Sequence, residues 1–192
     1  MANSNKPFGF RAVGSNVGAQ LNMAVRKYLV PATDGTAIYI GDPVKEAGSA
    51  GALYPDDSQY PTAAKAASGD VVCGVCVGIQ PLYNDLTTNY RKASTAMYIL
   101  VNTDPGTVYE AQGDSTVFAA TDIGLNANFT ASTGSATTGV SNATVGSGKN
   151  TTATLDVKLL GFVPAADNEV GAYCRFLVML NNHRFANQVA GV

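Results

Sequence analysis

Three groups of residues in this chain carry side chains that could do chemistry: Cys73 with Cys76, the single histidine His183, and a glycine-flanked lysine, Lys149. A Cys-x-x-Cys spacing supports redox exchange when the first thiol stands at a helix N-terminus, where the dipole lowers its pKa. Here the surrounding run, ValValCysGlyValCysValGlyIle, reads as a strand, and positions three apart on a strand face opposite sides. With Cys174 the cysteines number three, so they read as reduced, buried fillers of a sheet rather than a disulfide framework. The GlySerGlyLysAsn phrase at residues 146–150 has part of a phosphate loop, in which backbone amides and a lysine cradle phosphates. Ala143 stands where such a loop needs its first glycine, Asn150 stands where it needs Ser or Thr, and a strand follows instead of a helix. Nucleotide binding is therefore not expected.

His183 could serve as a base only beside a nucleophile and an orienting acid, and no Gly-x-Ser-x-Gly elbow is present. It reads as a structural or interface histidine. Asp42, Asp104, Asp114 and Asp122, with the pair Asp56 and Asp57, mostly adjoin Gly or Pro, where carboxylates bond turn amides. No segment has the alternating oxygen ligands of a calcium loop. Sequons begin at Asn128, Asn142 and Asn150, as an Asn/Thr-rich composition produces without selection for glycans. The expectation is a protein that is not an enzyme and takes no cofactor and no metal.

The elements that must hold these residues are strands. At 192 residues the chain can form a core without staples, and 46% hydrophobic against 14% charged, with abundant Gly, Ser, Thr and Asn, suits an all-β protein rich in turns. A net charge of −2 with no basic stripe argues against nucleic-acid binding. No run approaches the roughly 18 to 20 apolar residues that span a bilayer, and the first residues lack the basic-then-apolar order of a signal peptide. A cytoplasmic origin, with no membrane partner, is expected.

Along the chain, residues 1–20 read as an extended N-terminal arm, in which Phe8 and Phe10 are too apolar to stay free and dock on the parent domain or on a neighbouring subunit. Residues 21–185 form one β-rich domain, and 186–192 a C-terminal tail. Residues 22–30 and 36–40 flank an Asp-Gly turn and predict a hairpin. Residues 45–68 read as a loop, with a helical turn at 63–67. Residues 71–79 predict a buried strand with a bulge at its glycines. Residues 94–101 and 107–112 predict a second hairpin across a turn of about five residues. The hydroxyl-rich stretch 130–152 is either a flexible excursion or a solvated hairpin. Residues 155–159 alternate cleanly, and 172–180 are apolar on both faces apart from Arg175. The sum is six to eight strands with little helix.

Several phrases are recognisable together: AsnLysProPheGlyPheArgAlaVal near the start, TyrIleGlyAspProVal at 39–44, GlyValCysValGlyIle at 74–79, TyrArgLysAlaSerThrAla at 90–96, AspProGlyThrValTyrGluAlaGln at 104–112, AspIleGlyLeuAsnAla at 122–127 and LeuAsnAsnHisArgPhe at 180–185. They resemble a family of tailed-bacteriophage virion proteins regarded as head decoration, or capsid cement, proteins. The resemblance covers nearly the whole chain except the hydroxyl-rich tract. It implies a small antiparallel β-barrel or β-tulip-like subunit on the outer surface of the capsid. Its partners would be the major capsid protein and further copies of itself, often as a trimer. On that resemblance Phe8, Phe10 and Arg11 are candidate anchors to capsid or neighbouring subunit, since aromatics and arginine dominate interface energetics. Asn182, His183, Arg184 and Phe185 form a second candidate set. A tail-tube or other minor virion protein is the nearest alternative. A sugar-binding or hydrolytic β-domain is disfavoured, because the chain lacks the tryptophan platforms and paired acids such a domain uses.

Overall fold

The computed structural model describes residues 3–18, 21, 23–146, 148–186, 188 and 191, and these are all-β, with one 3-10 turn at Ala120–Asp122 and no α-helix. Nine strands have five or more residues: β1 (Arg11–Ser15), β2 (Val25–Val30), β3 (Pro43–Gly51), β4 (Tyr60–Lys65), β5 (Gly74–Gln80), β6 (Met97–Asn102), β7 (Thr107–Gln112), β11 (Val157–Phe162) and β12 (Arg175–Leu180). Three are two-residue pieces: β8 (Asn126–Ala127), β9 (Phe129–Thr130) and β10 (Thr144–Val145).

Five strands close a barrel in the order β2-β4-β3-β5-β6, and five form an open sheet in the order β1-β7-β12-β11-β8. Side chains from every barrel strand meet in one buried cluster: Tyr28 and Val30 from β2, Val44, Ala63, Cys76, and Ile99 with Val101 from β6. The spacing of two within β2 and β6 is strand periodicity, and the small residues suit the narrow interior of a five-stranded ring. A second, larger cluster joins Phe176, Val178 and Leu180 of β12 to Tyr109, Val157 and Leu159 of the sheet. Val72 and Val75 from the barrel side complete it, so this core cements barrel to sheet.

Several expectations are corrected. Residues 36–40 form no hairpin with β2, which pairs with β6 along six residues and with β4 in parallel at Leu29 and Thr62. Instead Ile38 exchanges both backbone bonds with Arg91, at 3.0 and 2.8 Å. The predicted loop and helical turn at 45–68 contain β3 and β4: Ala63 fills the barrel interior, and that burial overrides the helix propensity of the alanines. β6 and β7 are not a hairpin either. Each has both hydrogen-bonding edges taken by other strands, β6 by β2 and β5, and β7 by β1 and β12. The turn between them carries the chain from barrel to sheet, held by Asn102 Nδ2, which donates to Thr107 Oγ1 at 2.9 Å and Tyr109 Oη at 3.1 Å.

The bulge expected at residues 71–79 is present: the β5–β6 register shifts between Cys76 and Gly78. Gly74 has φ +153°, and a Cβ there would lie 2.0 Å from the Asn102 carbonyl oxygen, so only glycine fits this approach. The tract 130–152 is no loose excursion among its described residues. Ser141, Ala143 and Val145 are buried, and Ile40 N donates to Gly139 O while Ser141 N donates to Ile40 O.

Candidate functional site

The chemical candidates are structural. Cys73 and Cys76 both lie in the barrel cluster, not on opposite faces, because Cys73 precedes β5 and Gly74 between them, at φ +153°, breaks the simple alternation. Burial pushes both thiols up to about 12, which keeps them protonated and poor nucleophiles. Lys149 donates to Asp122 and to the Val117 carbonyl, and its ammonium stands 4.9 Å from the Phe118 ring. Asn150 then enters a bridge with Asn126. Asp104 and Asp114 accept the amides of Gly106 and Thr116, the turn chemistry expected of them, and Asp34 accepts that of Thr36 in the same way. Among the described residues no group of three or more His, Cys, Asp or Glu gathers to hold a metal.

Three buried charges stand out that sequence reasoning missed. Asp42 is fully buried, pairs with Lys65 at 3.0 Å, and accepts from Ser141 Oγ at 2.5 Å and Tyr39 N at 2.9 Å. Burial pushes its carboxyl up, against the opposing pull of Lys65 and these bonds. Arg91, also fully buried, donates to four carbonyls, those of Thr95, Thr36, Pro31 and Asp34, at 2.6 to 2.8 Å. Asp156 accepts from Ser68 Oγ, Gly69 N and Phe129 N, while its carbonyl accepts from Asn181 N and Asn182 N. All three hold loops, and Asp42 and Asp156 join barrel-side to sheet-side segments.

The predicted anchors separate. Phe10 is no free anchor: it is 2% exposed and meets Tyr109 and Phe129 edge-on in the core. Phe8 is half-buried on the surface, with the Arg11 guanidinium 5.2 Å from its ring, and Arg11 is ion-paired with Glu110. In the second set, Asn182 and His183 are interior residues. Asn182 Nδ2 donates to Asp70 O at 2.9 Å, and Val72 and His183 form a parallel bridge that ties the last segment to the barrel. His183 Nδ1 accepts from Phe185 N at 3.1 Å while Nε2 has no partner among the described residues, and burial pulls the imidazole down to about 4. Arg184 and Phe185 are exposed, Arg184 paired with Glu46 at 3.3 Å and Phe185 under the Arg26 guanidinium at 5.1 Å. Of the seven candidates, Phe8, Arg11, Arg184 and Phe185 can therefore meet a partner.

Phe8 forms the ridge between two grooves. One, of about 380 Å³, is apolar, walled by Phe8, Ala12, Met23, Ile40, Val77 and Val140. The other, of about 420 Å³, is polar and contains Arg11, Glu110, Gln112, Tyr173 and Arg175. Val13, Val17, Met23, Val25 and Ile40 all expose large apolar surface on or beside the first groove's segments.

Comparison of the chain with protein-family models, with curated proteins and with solved structures finds no match.

Proposed function

We propose that this protein is a structural virion component that binds the outside of a tailed-phage head and cements neighbouring capsid subunits, stabilising the expanded shell. The supporting structural observation is the apolar groove beside Phe8, flanked by Arg11 and by exposed valines and Met23. Aromatic and arginine side chains at the edge of an apolar depression are the composition of an interface centre. The resemblance of several phrases to head decoration proteins points to the kind of partner. A clamp that binds only the expanded lattice stabilises that lattice by mass action, without any bond made or broken.

The test is binding of purified protein to expanded heads stripped of it. Phe8→Ala, at a half-buried surface position, is expected to weaken attachment by at least about tenfold while leaving thermal unfolding nearly unchanged. Phe10→Ala is not a usable probe, because it opens a cavity in the core. Unchanged occupancy by the Phe8 variant removes the arm as the anchor, and particles whose heads lack the protein overturn the reading altogether. The tail-tube alternative draws on the position of β1 at one edge of the open sheet, since tube subunits join through sheet edges. Copy number separates the two: decoration follows the number of capsid subunits, and a tube protein follows the number of stacked rings.

A further inference from the structure

We propose that Lys65 and Asp42 condense, once the chain has folded, into an isopeptide bond that staples the start of β3 to the end of β4. Asp42 stands immediately before β3, and Lys65 is the last residue of β4, opposite Val44 in the antiparallel pair. The register therefore brings amine and carboxylate together, Nζ 3.0 Å from Oδ2. Water is kept out: the Asp42 side chain is 0% exposed and that of Lys65 is 9% exposed. Both groups are also oriented. Lys65 Nζ donates to Ser132 O at 2.7 Å, and the carboxylate accepts from Tyr39 N on Oδ2 and from Ser141 Oγ on Oδ1. The Asp42 backbone is fixed as well, its carbonyl accepting from Cys76 N at 2.9 Å and its amide donating to Tyr39 O at 3.1 Å.

Two charges taken out of water carry a desolvation cost that their attraction only partly offsets, and condensation removes both. Burial favours the protonated carboxyl, outweighing the opposing pull of Lys65, so proton transfer within the pair leaves a neutral amine beside a neutral acid. The Nζ lone pair then attacks Cγ from contact distance, with no diffusive encounter to wait for. Charge developing on Oδ1 is met by the Ser141 hydroxyl, already in place as an oxyanion donor is in acyl transfer. The bond formed is Nζ–Cγ and the bond broken is Cγ–Oδ2. Oδ2 departs as water, carrying the two protons that the ammonium gives up. One ammonium and one carboxylate thus become one neutral amide and one water, with no co-reactant. The competing dehydration of an aspartate, cyclisation onto the following backbone nitrogen, is closed at this position because Pro43 has no N–H. The bond lies within one chain, so it stands or falls separately from head binding.

The experiment is the exact mass of the purified full chain, kept folded until the mass stops changing, followed by denaturation and tryptic digestion. The expected mass is one water below that of the sequence, with or without Met1. The digest should hold residues 28–45 joined to residues 46–91, with Lys65 uncut because its amine is acylated. Lys65→Arg keeps the positive charge but offers no amine to acylate, and it should restore the full mass. A wild-type chain at full mass whose denatured Lys65 is cut by trypsin overturns the proposal, and so does a lost water with no joined peptide. The wild-type digest decides alone if the variant fails to fold.

Discussion

Burial of His183 with only one bonded nitrogen couples its protonation to folding. The folded imidazole titrates at about 4 against the usual 6.5, chiefly through desolvation, so between those values the unfolded chain binds the proton that the folded chain refuses. The stability it contributes is therefore complete above pH 6.5 and is lost as pH falls toward 4, to a limit of about 3 kcal/mol. Burial pushes Asp42 the other way, so its protonation favours the folded chain as pH falls. The difference between wild type and His183→Gln isolates the histidine: urea unfolding at pH 7 and pH 4.5 should show the wild type losing more stability than the variant. Equal losses would sink this account. The sequence left His183 between a structural and an interface role and placed it among the anchors, and neither its burial nor that of Phe10 was legible, since one aromatic in an arm looks the same docked at home or abroad. Asp42 was read as turn chemistry from its Gly-Asp-Pro setting, and nothing local announces that Lys65 and Ser141 will meet it.

Strands that alternate were readable; strands built of small residues were not. β11 buries Val157 and Leu159 in the alternation its sequence shows, whereas β12, apolar on both faces in sequence, buries Phe176, Val178 and Leu180 on one face only. β4 hid behind alanines because the barrel interior needs small side chains, a requirement set by strands far away in sequence. Pairing failed for a related reason: a turn signal shows that the chain bends, not that the flanking strands meet. At 31–36 the bend is held by Arg91, whose planar fork supplies donors to four carbonyls at once. Arg91→Lys keeps the charge but strips donors from buried carbonyls, and is expected to cost about 3 kcal/mol in chemical denaturation. It should also speed proteolytic cutting at 31–36 relative to the rest of the chain. A loss under 1 kcal/mol with unchanged cutting would show the loop to be held by its backbone alone.

Barrel and sheet share one fate because the chain weaves between them. It starts in the sheet at β1, runs the whole barrel from β2 to β6, and returns to the sheet at β7. Asp156 fastens the loop at Ser68 and Gly69 to Phe129 and to the strand exit at Asn181. A single calorimetric transition, with van't Hoff and calorimetric enthalpies equal, is expected for the wild type. Asp156→Ala should lower its midpoint by several degrees, through about 3 kcal/mol of lost buried bonds. Two separate transitions in the wild type would contradict the shared core. The all-β class was legible in composition and patterning, while this weave was not, because it depends on which distant partner claims each strand. The weave also sets a timetable. Asn3 is translated 166 residues before the Glu169 turn that grips it, an interval of about 10 to 30 s on the ribosome. Throughout it the newborn arm, with Phe8 and Phe10 on it, has nowhere of its own to sit.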